Sequence, residues 1–163
     1  MTGRRMTVLL AVMMLGAVSL YGQSIPKPLK TRLVIGDPVW RELPVRKELQ
    51  KEYDRVWQTS LNALLEHNYD IATMEKSSGY LRTTWNERVV TLKDNWVYKL
   101  QITVKLVTLP SDPNTVEKIR LQVTGDVTNL NSRTGAVKAY FRGYDQVVLQ
   151  NLMQDLQAKL GSI

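Results

Sequence analysis

Between Trp96 and Leu106 every second residue is apolar: Trp96, Tyr98, Leu100, Ile102, Val104 and Leu106. Lys99, Gln101, Thr103 and Lys105 fill most of the places between them. Side chains alternate across a strand, so this run predicts a long strand with one buried and one wet face. Pro110-Ser111-Asp112-Pro113-Asn114 is a strong turn signal. Beyond it Ile119, Leu121, Val123 and Val127 alternate with Lys118, Arg120, Gln122 and Thr124. Two such strands call for an antiparallel sheet whose apolar face must be covered.

Two amphipathic stretches supply the cover. From about Arg46 to His67, the residues Leu49, Tyr53, Val56, Trp57, Leu61, Leu64 and Leu65 recur at helical steps, and Asn68 is a natural stop. From about Tyr144 to Leu160, the stripe is Val148, Leu149, Leu152, Met153, Leu156 and Leu160. Asp70–Glu75 and Tyr80–Asn86 flank Lys76-Ser77-Ser78-Gly79 and read as a hairpin. Short strands are expected at Leu33–Ile35, on an edge, and at Ala136–Phe141. The fold class that follows is α+β: a two-layer domain with three to five antiparallel strands and an N-terminal and a C-terminal helix on one face.

The chain opens differently. Arg4 and Arg5 precede an apolar run from Met6 to Tyr21, followed by small residues, which are the parts of a secretory signal peptide. The run is short of the roughly 20 apolar residues of a membrane span, so residues 1–24 read as a signal peptide, with an uncleaved anchor as the alternative. Residues 25–45 carry Pro26, Pro28, Pro38 and Pro44 and are expected as an extended lead-in. Residues 46–163 then form the single α+β domain. Without cysteine the chain has no disulfide, thiolate metal site or lipid anchor on a lipobox cysteine. The expected location is the periplasm or the outer-membrane periphery of a bacterium.

Export bears on partners. The formal charge of +7 falls to +5 once Arg4 and Arg5 are removed with residues 1–24. In the envelope a basic protein meets acidic protein faces, anionic lipid or acidic cell-wall polymer, whereas nucleic acid is not an expected partner. The outward side of the sheet carries Lys99, Lys105, Lys118 and Arg120, with Arg82 beside them. This face is either an ordinary solvated surface or a docking face, and a sheet edge offers strand addition as a further mode. Trp40, in the lead-in, either pins that segment to the domain or anchors a partner. Trp57 and Trp96 read as core, and Trp85, in step with Leu81 and Thr83, reads as inward-facing.

Catalytic patterns are missing. The one histidine, His67, ends a helix, where a cation is favourable by about 0.3–1 kcal/mol. There is no GxSxG, HExxH, phosphate loop or EF-hand pattern. A hydrolase would need Asp70 to converge with Asp94 or Asp126. No metal ligands, catalytic residues or cofactor are expected.

Val56-Trp57, Leu61, Leu64-Leu65, Asn68-Tyr69-Asp70-Ile71 and Ser78-Gly79-Tyr80-Leu81-Arg82-Thr83-Thr84-Trp85 together resemble the helix-then-hairpin core of the BamC (NlpB-type) family. Its members are envelope lipoproteins of the machinery that assembles outer-membrane β-barrels. The resemblance covers residues 50–86 in detail and 96–160 in element order. It implies a helix-grip-like fold and a non-enzymatic accessory or scaffold in an outer-membrane-associated protein complex. It differs in that the family carries an N-terminal lipid-bearing cysteine and two such domains. The alternative function is a periplasmic carrier holding a lipophilic ligand between sheet and helix, near Trp57, Trp96 and Tyr98.

Overall fold

A computed structural model describes residues 25–91 and 95–161. The segment read as a signal peptide lies outside the described residues, as does Asp94. In chain order the elements are α1 (Lys27–Lys30), β1 (Leu33–Ile35), β2 (Trp40–Pro44), α2 (Tyr53–Glu66), β3 (Ile71–Glu75), β4 (Tyr80–Thr83), β5 (Asn86–Thr91), β6 (Trp96–Leu109), β7 (Asp112–Leu130), β8 (Val137–Asp145) and α3 (Gln146–Leu160). A 3-10 turn, Lys76–Ser78, joins β3 to β4. The fold is α+β, with an eight-stranded antiparallel sheet backed by helices.

The alternating run builds the spine. β6 and β7, of 14 and 19 residues, form one long hairpin in register from Trp96↔Asn129 to Leu109↔Asp112. Each spine strand is longer than any neighbour, so its outer edge is shared by two short strands. β8 pairs with the C-terminal half of β7 and β2 with an earlier part, while β5 and β4 divide β6 in the same way. β1 and β3 close the two ends of the order β1-β8-β7-β6-β4-β3.

The inward side chains of the spine, among them Leu100, Ile102, Val104, Leu121 and Val123, are buried. Helices α2 and α3 pack on each other and on β7, burying Val56, Trp57, Ala63 and Leu64 from one and Leu149, Leu152, Leu156 and Leu160 from the other. Gly79 makes the hairpin return possible: its φ of 66° suits glycine, and a Cβ there would lie 2.9 Å from the Cβ of Leu106.

Four expectations change. Residues 25–45 are not simply a lead-in, because β1 and β2 belong to the sheet. The first helix starts at Tyr53 rather than near Arg46, because Arg46–Glu52 forms turns in which Leu49 N–H donates to Arg46 and Glu52 N–H to Leu49. There the carbonyl of Gln50 accepts from Val116 of β7 instead of continuing a helix. The sheet has eight strands rather than three to five: every segment read as a strand joins it, and β2 and β5 are added. Trp85 is 40% exposed, at the break between β4 and β5, and not inward.

One polar knot lies inside the core. Asp145, fully buried, caps α3 by accepting from the backbone N–H groups of Val147 and Val148. Its other oxygen accepts from Tyr98 Oη at 2.8 Å and Arg32 Nη2 at 2.9 Å. Arg32 immediately precedes β1, so this ion pair fastens the first strand beside the last. The close approach depends on Gly143, where a Cβ would stand 2.1 Å from the carbonyl oxygen of Val34. Burial, reinforced by the Asp145 charge, pushes the Tyr98 hydroxyl far above its ordinary pKa.

Candidate docking face

The side of the sheet away from the helices is where the expected contact residues meet. Strand register aligns them in rows. Trp40, Gln122, Thr103 and Arg82 form one row across β2, β7, β6 and β4. Glu42, Arg120, Lys105 and Tyr80 form the next. Lys118, opposite Pro44, lies beyond Arg120 on the same strand. Lys99 stands further along the face, between Glu87 on β5 and Asp126 on β7. All six sequence-predicted residues therefore lie on one face, with Lys99 set apart from the other five.

The face is a charge mosaic rather than a uniformly basic surface. Glu42 binds Lys118 at 2.8 Å and Arg120 at 3.3 Å. The Lys118 hydrogen bond is the main reason the Glu42 carboxyl is held below its ordinary pKa. Lys99 meets Glu87 at 3.1 Å, and Arg142 meets Asp126 at 3.8 Å. Arg82 donates to Thr73 Oγ1 at 3.3 Å. Among the described residues, no carboxylate pairs with Arg82 or Lys105.

Trp40 is half-buried on this outer face, with the Arg120 guanidinium 5.1 Å from its ring centroid. It pins β2 to β7 and holds Arg120 against the sheet. Reading the sequence missed Glu42 and Glu87 as members of the face because β2 and β5 were not recognised as strands. The signal was present in Arg41 and Leu43 alternating with Trp40 and Glu42, although Pro38 and Pro44 obscured it.

Other candidate chemistry is dispersed. His67 sits at the C-cap of α2 with Nε2 3.7 Å from Asp155 Oδ2 of α3, a position that serves helix packing. Lys159 joins that helix pair by bonding both Glu66 and Asp155. Asp126 faces Arg142 on the outer face. An open cleft of about 510 Å³ near the start of α2 is lined by Lys51, Glu52, Tyr53, Asp54, Arg55 and Asn114. Among the described residues there is no cluster of three His, Asp or Glu suited to a metal ion, and no helix long and apolar enough to cross a membrane. No protein-family model matches the chain, and no curated protein matches it in sequence.

Proposed function

We propose that the chain is a non-enzymatic interaction protein of the bacterial periplasm or outer envelope, an accessory or scaffold that binds a protein partner through its outer sheet face. The observation that carries this reading is the one-sided cover of the sheet. The helices bury the apolar face, and the opposite face presents Trp40, Arg82, Lys99, Lys105, Lys118 and Arg120 together. The Arg4–Tyr21 export pattern and the BamC-like arrangement of residues 50–86 support the compartment and the partner class.

The mosaic of signs favours a protein over a lipid surface or polymer, because a partner with both charges can match both. The carrier reading would need room between sheet and helices. Trp57, Leu64, Ile102, Leu121, Leu152 and Leu156 are all buried in that region, so docking stands first.

In-cell photo-crosslinking tests the proposal, with the reactive residue placed at Thr128 on the outer face or at Gln150 on the exposed side of α3. Adducts with an identified envelope protein are expected from Thr128 and not from Gln150. Equal capture from both positions, or none from Thr128, overturns it.

A further inference from the structure

We infer that Arg82, Lys105 and Arg120 form the recognition centre of that face, and that they receive an acidic, extended protein segment with carboxylates at every second residue. The inference rests on the docking-face reading and names the partner's chemistry.

Lys105 and Arg120 are direct register partners on β6 and β7. Like charges directly opposite each other on one sheet face cost stability. Arg82 on β4 adds a third cation, opposite Thr103 of β6 and one diagonal step from Lys105. On this face the fold supplies an acid for four bases: Glu42 for Lys118 and Arg120, Glu87 for Lys99 and Asp126 for Arg142. Opposite Lys105 and Arg82 it supplies Tyr80 and Thr103 instead. Among the described residues, Lys105 and Arg82 are the two bases at this point without that compensation, which leaves a place for carboxylates from outside.

Geometry selects an extended segment. Opposite residues stand about 5 Å apart and diagonal ones about 7–8 Å. Arg120, Lys105 and Arg82 therefore step across three strands at distances that bracket the ~7 Å repeat of same-side residues on an extended chain. Arg120 is already held in place, its guanidinium 5.1 Å from the centroid of the Trp40 ring. Its charge is thus presented with less ordering still to be lost on binding. The surrounding carboxylates Glu42, Glu87 and Asp126 argue against an anionic bilayer, whose uniform charge would meet them as well.

The test uses the purified chain at low salt with a labelled peptide of alternating Glu and Ser, the matching Lys–Ser peptide, and phosphatidylglycerol vesicles. The acidic peptide alone is expected to bind, and Lys105→Glu and Arg82→Glu should each weaken it at least tenfold. Lys105→Glu should meanwhile hold the melting temperature or raise it by about 1–3 °C, because the introduced carboxylate relieves the like-charge pair. That opposition of effects separates a binding role from a structural one. Absence of acidic-peptide binding, equal binding by wild type and Lys105→Glu, or vesicle binding lost with the same substitutions overturns the inference. Envelope-protein adducts from Thr128 that persist in Lys105→Glu would sink the acidic-segment inference and leave the docking face standing, whereas loss of all Thr128 adducts in wild type would sink both.

Discussion

The Tyr98 hydroxyl donates to the fully buried carboxylate of Asp145 at 2.8 Å, joining the first half of β6 to the capped start of α3. The same carboxylate holds Arg32, so one buried acid links strand β1, the central hairpin and the last helix. Few single groups in the core have so many dependants.

Asp145→Ala should therefore be severe. It removes the α3 cap, worth about 1 kcal/mol, and orphans a buried hydroxyl at about 1–3 kcal/mol. The expected loss is about 3 kcal/mol in urea denaturation. Asp145→Asn should cost less, since its amide oxygen can still accept from Val147 and Val148.

The same pair predicts an alkaline limit. Tyr98 holds its proton in the folded state well above the ordinary tyrosine value of 10.0, whereas the unfolded chain loses it there. The stability gained from the buried, protonated hydroxyl is full below pH 10 and declines progressively above it. Tyr98→Phe should be less stable than wild type at pH 8, and the gap should narrow above pH 10 in paired urea titrations.

Gly143→Ala should displace β1. Its Cβ would meet the Val34 carbonyl at 2.1 Å, and a backbone atom cannot swing aside as a side-chain tip can. The cost is about 2 kcal/mol or more. Amide exchange should show lost protection around Leu33–Gly36 before any change in the β6–β7 hairpin.

Glu42→Gln should weaken the attachment of β2 at neutral pH. The Lys118 hydrogen bond keeps this carboxyl below its ordinary pKa of 4.5, so its stabilisation is present above that pH and fades as the pH drops through the depressed value. The melting-temperature gap between wild type and Glu42→Gln should shrink below pH 4.5. At pH 7 the same substitution releases Lys118 and Arg120, so acidic-peptide binding should tighten.

How far the sequence discloses this fold depends on how each segment is buried. β6 and β7 turn their large apolar residues to one face, so their alternation is plain, and α3 shows its apolar stripe for the same reason. β2 has one buried side chain, Leu43, within Trp40–Pro44 and is framed by prolines, so it carries little periodic signal. β5 contains Val89-Val90, which breaks alternation. The turns at Arg46–Glu52 imitate helical spacing because Leu49 is buried just before α2 begins. The basic residues of the outer face were legible because they sit on the clear strands. Their acids were not, because Glu42 and Glu87 ride on the obscure ones.

The fastening of β1 to β8 also sets an order in time. Leu33 pairs with Asp145, and Val45 bridges to Gly161, so β1 and the end of the β2 segment find these partners only on residues made more than a hundred positions later. Contacts this distant in sequence slow folding, because the loop must close before anything stabilises the closure. A growing chain can form the β6–β7 hairpin, with β2 on its edge, while β1 still lacks its docking site. Completion awaits α3, and a ribosome stalled before residue 143 would hold a sheet with its first strand unplaced.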